Sequence, residues 1–471
     1  MKKKIMHIHF TGIKGVGMTP LSIIAKEAGF KVSGSDIKEE FITDEPLKKA
    51  GIVPFTDFLE ENIKGADLLI TTGAHGGFNN VEVQKAKEKN IPVLTQGEAV
   101  GVFMDGEIFG KKFEGISVAG CHGKTTTTAM IAAIFKESGL DPSYVIGGGN
   151  VIPLGVPGHF GKGKYFIAEA DEYATEPVFD KTVKFLWQNP RIAVFTNIEF
   201  DHPDLFVSVD QVRNEFLKFA KKLPSGGVLI AGGDDDQIKK LLQDYGGRVT
   251  TFGFSPINDY VLKRVSISGS QTFFWVETKN ITLGEFSLGV LGEHNALNAL
   301  AAVVTGLECG ISINKIKSAL GVFGGAKRRF EYIRELEKGA LLFDDYAHHP
   351  TEIRKTLRAF RQSFPKSKIV CIFQPHTYSR TKTLFEQFVH SFIDCDTVII
   401  SNIYPSLRES PDLNVSSQLL INNISRYHKD PLFLPGLSDV IEYINQKGYG
   451  KDTVVITMGA GDIYKINEKL K

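Results

Sequence analysis

Gly115-Ile-Ser-Val-Ala-Gly-Cys-His-Gly-Lys-Thr-Thr-Thr-Thr-Ala-Met-Ile-Ala-Ala-Ile-Phe135 is the stretch that decides the fold of this chain. An apolar β-type run, Gly115–Ala119, leads into a Gly-rich turn, and a helical run, Ala129–Phe135, leads out of it. Such a turn presents backbone N–H groups and the positive end of a helix dipole to an anion. Lys124 adds a point charge for a β/γ-phosphate, and the Thr125 hydroxyl can reach a Mg²⁺. The longer phosphate-loop pattern would need a glycine where Val118 stands, so this is the shorter G-x-x-G-K-T form. Gly120, Cys121, His122, Gly123, Lys124, Thr125 and Thr126 are therefore expected to cradle a nucleoside triphosphate. The competing reading, a Thr-rich helix start capped by a threonine, leaves the preceding strand and glycines without a purpose.

Outward from this turn, strands and helices alternate in both directions. Before it, Ile5–Phe10, Lys31–Ser35, Leu68–Thr72 and Ile91–Leu94 read as strands. Met18–Ala28, Thr43–Ala50 and Val81–Lys89 read as helices between them. That order is the signature of a doubly wound, Rossmann-like parallel sheet. Residues 106–114, rich in Gly, Lys and Glu, read as a linker that closes a first domain over 1–114. After the turn come the strands Tyr165–Glu169 and Ile192–Thr196, the helix Val209–Lys222 and the strand Gly227–Ala231. Tyr260–Val290 alternates in the β manner and predicts a small antiparallel sheet, followed by a helix over Asn295–Cys309. The central, phosphate-loop ATPase-like domain thus covers 115–325. A third domain, 326–471, again Rossmann-like, carries the strands Leu341–Asp344, Ile369–Phe373, Thr397–Ile400 and Thr453–Thr457. The class is α/β in three domains.

Composition narrows the functional classes. A length of 471 residues fits about three domains, each able to bury a core. A net charge of +1 gives no electrostatic case for nucleic acid or an anionic membrane. Four cysteines, Cys121, Cys309, Cys371 and Cys395, lack CxxC spacing, which argues against a disulfide framework or structural zinc and fits a reducing cytosol. The basic opening, Met1 to Lys4, precedes an apolar stretch too short and broken for a signal peptide. No run of about eighteen apolar residues occurs. A cytoplasmic protein without membrane insertion is expected.

Further strings sit where strands end, the edge at which open α/β sheets bind ligands. Gly12-Ile-Lys-Gly15-Val16-Gly17 follows the first strand, and Asp36 ends the second at the place of a ribose-binding acid. The functional reading is a diphosphate on the helix N-terminus; the plainer one is a packing turn. Glu169-Ala-Asp171-Glu172-Tyr173 offers carboxylates for a phosphate-bridging Mg²⁺, or is a solvated acidic loop. Asn197-Ile-Glu199-Phe-Asp201-His202 supplies an imidazole with a carboxylate to orient it. Asn295 and Asn298 share one helix face and suit a purine edge, with helix capping by Asn295 as the alternative. Arg328-Arg329 stands at the second domain boundary, either a surface basic pair or a guanidinium swung onto a transferring phosphoryl. Asp344-Asp345-Tyr346-Ala-His348 could bring a carboxylate to a ribose, and His376 to Arg380 offers Arg380 for a substrate carboxylate.

Together these strings resemble the Mur ligases of peptidoglycan-precursor synthesis. The matching pieces are GIKGVGM (12–18), GCHGKTTTTAM (120–130), AEADE (168–172), TNIEFDH (196–202), GEHNALNA (292–299), KRRFE (327–331), DDYAHHPTE (344–352), FQPHTYSRT (373–381) and GAGDIY (459–464), in family order across nearly the whole chain. The resemblance is greatest to the alanine-adding type. It implies a first domain holding UDP-N-acetylmuramate, a central ATPase domain, and a third domain that takes L-alanine and closes over ATP. It implies that Lys124 holds phosphates, Thr125 and Glu172 one Mg²⁺, and His202 a second. Asn295 and Asn298 would face adenine, Asp345 the ribose, and Arg329 the γ-phosphate. Gly12, Gly15, Val16, Gly17 and Asp36 would receive the uridine diphosphate, and Tyr346, His348, His376 and Arg380 the amino acid.

Some residues depart from that type. Asp171-Glu172-Tyr173 replaces the usual ADES, and with Phe179–Phe185 and TNIEFDHPDLF it is similar to the murein-peptide ligases, which join a tripeptide to the same sugar nucleotide. Thr377 stands where QPHRYSR has arginine, and Gln96-Gly97 replaces an arginine before Glu98. Phe216 falls near the place of the carbamylated lysine of later ligases, an absence in keeping with the alanine-adding type. The expected reaction is amide formation through an acyl phosphate, by a monomer or homodimer. A tripeptide or another amino acid is the alternative acceptor. A nicotinamide-dependent oxidoreductase would leave GKTTTT and the strand-end carboxylates unexplained, and a nucleotide switch would not need the third domain's pocket.

Overall fold

A computed structural model describes residues 5–405, 409, 412, 414–429 and 431–471. The basic opening, 1–4, lies outside the described residues. The first domain is a four-stranded parallel sheet in the order Lys31–Ser35, His7–Thr11, Leu68–Thr71, Val93–Thr95. His7–Thr11 is buried on both faces, as interior parallel strands are, although His7, His9 and Thr11 alternate with Ile8 and Phe10. The helix Gln96–Asp105 has no counterpart in the sequence-based expectation. It starts on a capping box in which Thr95 and Glu98 satisfy each other's backbone N–H. It ends at Gly106, whose φ of +80° a glycine adopts without strain. Residues 106–114, expected as a linker, are packed: Phe109 lies 5.0 Å from Phe103 and 4.8 Å from Phe160 between ring centres.

The central domain is built on one ten-stranded sheet. Its parallel core runs Val249–Gly253, Val228–Gly232, Ile192–Phe195, Glu114–Ala119, Tyr165–Ala170, Ser143–Val145. The antiparallel strands Tyr260–Ser268, Gln271–Thr278 and Thr282–Leu288 extend this same sheet, attached by the pairs Phe252–Tyr260 and Gly253–Val261. Helix Lys124–Glu137 is buried from Thr125 to Phe135, threonines in its first half and apolar residues from Ala129 on, and it sits between the sheet and the helices Glu293–Glu308 and Ile313–Gly321. A hairpin of Ala174–Glu176 and Asp180–Val183 reaches onto the first domain. Its Pro177 abuts Gly73, where a Cβ would come within 2.7 Å of the proline ring.

Among the described residues the third domain has six strands in the order Glu331–Glu335, Leu341–Asp345, Thr453–Met458, Lys368–Phe373, Thr397–Ile400, Leu432–Phe433, all parallel except the first. No described helix is long and apolar enough to cross a membrane. In the central domain, strands Glu114–Ala119, Tyr165–Ala170, Ile192–Phe195 and Val228–Gly232 end on the same edge, which collects the residues described next.

Candidate active site

Strand Glu114–Ala119 ends at Gly120, and the chain turns through Gly120 (φ +143°) and Gly123 (φ +79°) into the helix that opens with Lys124. Both conformations favour glycine, and both glycines are also closely approached. A Cβ on Gly120 would lie 2.0 Å from Thr196 Oγ1, and one on Gly123 would lie 2.4 Å from Asn298 Oδ1. Lys124 Nζ curls over its own loop, donating to the Gly120 carbonyl at 2.6 Å and to Glu172 Oε2 at 2.7 Å. Burial alone would lower the Lys124 pKa, but the Glu172 carboxylate holds it above its ordinary value. Burial likewise opposes ionisation of Glu172, and Lys124 overcomes it, keeping that carboxyl below its ordinary value.

His202 closes the group. Its φ of +55° follows the end of strand Ile192–Phe195, and Nε2 lies 3.5 Å from Glu172 Oε1. Asp171, Glu172 and His202 each bring a ligand atom within 4.8 Å of the others. Asp171, one of the strand-end carboxylates though not among the metal ligands the resemblance implies, accepts from Lys184 Nζ at 2.7 Å. Lys124, Glu172 and His202 thus converge on one place.

Thr125, expected as a metal ligand, donates to Glu169 Oε1 at 2.9 Å and lies 3.4 Å from Arg329 Nη2. Glu169 also accepts from Gly147 N, and burial raises its pKa. Arg329 therefore already reaches the phosphate loop from the third domain. Its neighbour Arg328 has a different fate: it is buried, donates to Asp344 at 2.9 Å and to the Gly461 carbonyl at 3.2 Å, and holds the third domain together.

Beside the loop lies a cavity of about 430 Å³. The central domain walls it with His122, Asn295 and Asn298, and the third domain with Asp345, Lys355 and Arg358. Asn295 does not cap its helix, because Gly292 occupies that position; its Nδ2 donates to the Leu291 carbonyl at 2.7 Å. Asp345 accepts from the N–H groups of Phe330 and Ala347, and burial pushes its pKa up to about 6 against the pull of Arg329. Glu352, absent from the expected set, also lines the cavity and occupies the third position of a capping box on helix Pro350–Ser363. That H-x-x-E spacing was the available signal.

Tyr346, His348, His376 and Arg380 come together in the third domain. The rings of Tyr346 and His348 lie 5.2 Å apart, and those of His348 and His376 6.0 Å apart. Arg380 Nη1 lies 3.3 Å from His376 Nδ1, while its Nε donates to Asp201 Oδ1 of the central domain at 2.8 Å. The guanidinium expected to meet a substrate carboxylate is thus partly engaged by a protein carboxylate.

In the first domain Gly12 N and Ile13 N donate to the Ser35 carbonyl, and Gly15 N to that of Gly12, shaping a tight turn with φ +79° at Gly12. Val16 is exposed at its tip, and Gly17 lies against Gln96. Asp36, expected to face a ribose, is turned inward. It accepts from Lys14 N at 2.7 Å and Ile37 N at 2.8 Å, and burial raises its pKa.

Three segments of the chain match known domains. Residues 7–107 match "Mur ligase family, catalytic domain", 118–306 "Mur ligase middle domain" and 328–461 "Mur ligase, glutamate ligase domain". The UDP-N-acetylmuramate–L-alanine ligase of Desulfitobacterium hafniense is 39% identical over 466 residues, covering 99% of each chain. The crystal structure of UDP-N-acetylmuramate-alanine ligase from Thermotoga maritima superposes with a TM-score of 0.80 at 28% identity, covering 98% of each chain. A murein peptide ligase from Psychrobacter arcticus shares the fold, with a TM-score of 0.72 at 24% identity over 99% of this chain and 98% of that one.

Proposed function

Since the chain belongs to the Mur ligase family, we propose that it is an ATP-dependent carbon–nitrogen ligase that joins L-alanine to UDP-N-acetylmuramate. One observation carries the chemistry: Lys124, Glu172 and His202 converge at the phosphate turn, whose His122 and Gly123 line a cavity that Arg329 of another domain also lines. ATP fits that cavity, with its phosphates on the Gly120–Thr125 turn, adenine toward Asn295 and Asn298, and ribose toward Asp345. The one-imidazole, two-carboxylate set of Asp171, Glu172 and His202 suits Mg²⁺, which would neutralise phosphate charge when bound. The sugar nucleotide would lie on the Gly12–Gly17 turn and the amino acid near Tyr346, His348, His376 and Arg380. ATP and a sugar nucleotide as substrates fit a cytoplasmic setting.

An oxygen of the muramoyl carboxylate attacks the γ-phosphorus, and ADP leaves, giving an acyl phosphate. Lys124 and Arg329 neutralise the charge on the transferring group, so the protein contributes mainly position and electrostatics. The amine of L-alanine then attacks the acyl carbon; phosphate departs, the amine proton is lost, and the amide remains. The third domain covers the cavity and keeps water from the acyl phosphate.

The deciding assay is ADP release with ATP and UDP-N-acetylmuramate. L-Alanine should support turnover at a far higher kcat/KM than glycine, L-serine or the murein tripeptide. Preference for the tripeptide would transfer the assignment to the murein-peptide type, which the Asp171-Glu172-Tyr173 string resembles.

A further inference from the structure

His122, Glu199 and His349 form a second cluster, separate from Asp171, Glu172 and His202, in which one ligand atom from each lies within 4.8 Å of the other two. We propose that these three side chains form a metal site for a borderline divalent ion of the Zn²⁺ type, bridging the central and third domains at the wall of the nucleotide cavity.

His122 supplies the first argument. It is only 6% exposed, yet neither ring nitrogen has a hydrogen-bond partner among the described residues. Buried polar atoms are nearly always satisfied, so such a ring calls for an explanation. Nε2 faces Glu199 Oε2 at 3.5 Å and Nδ1 faces Glu352 Oε1 at 3.3 Å, and against burial these two carboxylates raise its pKa to about 9, so an ion at Nε2 would take the place of a proton while Nδ1–H stays toward Glu352.

His349 supplies the second. Its Nε2 lies 3.3 Å from the Phe200 carbonyl, which can only accept, so Nε2 carries the proton and Nδ1 the lone pair. Nδ1 accepts from Thr351 N at 3.3 Å as the cap of helix Pro350–Ser363 and lies 3.8 Å from Glu199 Oε2, so an ion bound there would take the place of that capping bond. A ring whose far N–H is fixed on a backbone carbonyl is the usual arrangement of a metal-binding histidine. Glu199 is oriented in turn by Thr351 Oγ1, which donates to Oε2 at 2.6 Å.

The donor set selects the ion. Two imidazoles and one carboxylate favour Zn²⁺ or Co²⁺ over the oxygen-seeking Mg²⁺. Bonds of about 2.0–2.1 Å in a tetrahedron put ligand atoms roughly 3.4 Å apart; Glu199 Oε2 lies 3.5 and 3.8 Å from the two ring nitrogens, and the three ligand atoms all fall within 4.8 Å of one another. His122 and Glu199 both line the nucleotide cavity. With His122 and Glu199 on the central domain and His349 on the third, a bound ion pins the two together.

Co²⁺, a spectroscopic stand-in for Zn²⁺, tests this on the full chain with saturating Mg²⁺ present. Wild-type protein should give the visible absorption bands of a tetrahedral Co²⁺ site. His349→Gln and Glu199→Gln should each weaken Co²⁺ binding at least about tenfold. Glu172→Gln, in the other cluster, should leave it unchanged. Absence of the tetrahedral bands overturns the site, as does an affinity unmoved by both Glu199→Gln and His349→Gln. A loss that follows Glu172→Gln overturns it equally. The Glu199 variant keeps an acceptor for Thr351, so one folded variant remains even if His349→Gln unfolds.

Discussion

Arg380 and Asp201 meet across the seam between two domains, Nε to Oδ1 at 2.8 Å, with side chains 4% and 5% exposed. Burial raises the cost of ionising Asp201, and Arg380 more than offsets it, holding that carboxyl well below its ordinary range. Removing one member strands the other's charge in a dry place. Arg380→Ala should therefore destabilise the protein by about 3–5 kcal/mol. Adding Asp201→Asn should restore a substantial part of that loss. Urea denaturation of the two single variants and the double variant reads the coupling directly.

Lys124→Ala removes both the cation expected on the β/γ-phosphates and the partner of Glu172. Phosphate release should fall by about a hundredfold to a thousandfold, the usual effect of losing one charge-stabilising donor. A rate within a few-fold of the parent would remove Lys124 from the mechanism.

Gly120→Ala places a methyl group 2.0 Å from Thr196 Oγ1 on a backbone with φ +143°. Thr196 Oγ1 donates to the His122 carbonyl at 2.7 Å, so the loop must shift as that contact yields. The strain is worth about 1–3 kcal/mol, and ATP affinity measured by calorimetry should weaken at least about tenfold.

His159 joins the first domain to the central one, with Nδ1 2.8 Å from Glu27 Oε2 and Nε2 3.0 Å from Asp141 Oδ1. The bond to Glu27 raises its pKa above the ordinary value, against burial. A folded-state pKa above the unfolded one means stability fully present below about pH 6.5 and lost as pH rises through the folded value. The pair is partly exposed, so the effect is about 1 kcal/mol or less. Thermal melts between about pH 6 and about pH 9 should decline by roughly 2 °C more in the parent than in His159→Gln.

Local features of this molecule were legible in its sequence. The phosphate turn is written in consecutive residues, and the strand-end carboxylates announce themselves because each follows an apolar run. Helix Gln96–Asp105 escaped because its glycines blur the helical period, although Thr95 and Glu98 carry the capping signal. Distant pairings were out of reach. Thr351 and Glu199 are 152 positions apart, and no local pattern says that one hydroxyl will hold the other carboxylate. Arg328 and Arg329 are chemically identical neighbours, yet one is locked under its own domain and the other reaches the phosphate loop. Only the direction in which the backbone turns, with φ +63° at Arg328, separates them. Asp36 reads as a ligand group by position, but its oxygens complete the turn that the ligand would rest on.

Asn295 and Asn298 stand on one side of the nucleotide cavity, Lys355 and Arg358 on the other, and the two sides belong to different domains. Either half alone offers a shelf where the whole offers a chamber. A small molecule wedged into that seam could starve the enzyme of ATP without imitating a purine or a phosphate. Selective inhibitors of this chain are accordingly to be sought in the gap between its domains, where residues distant in sequence meet.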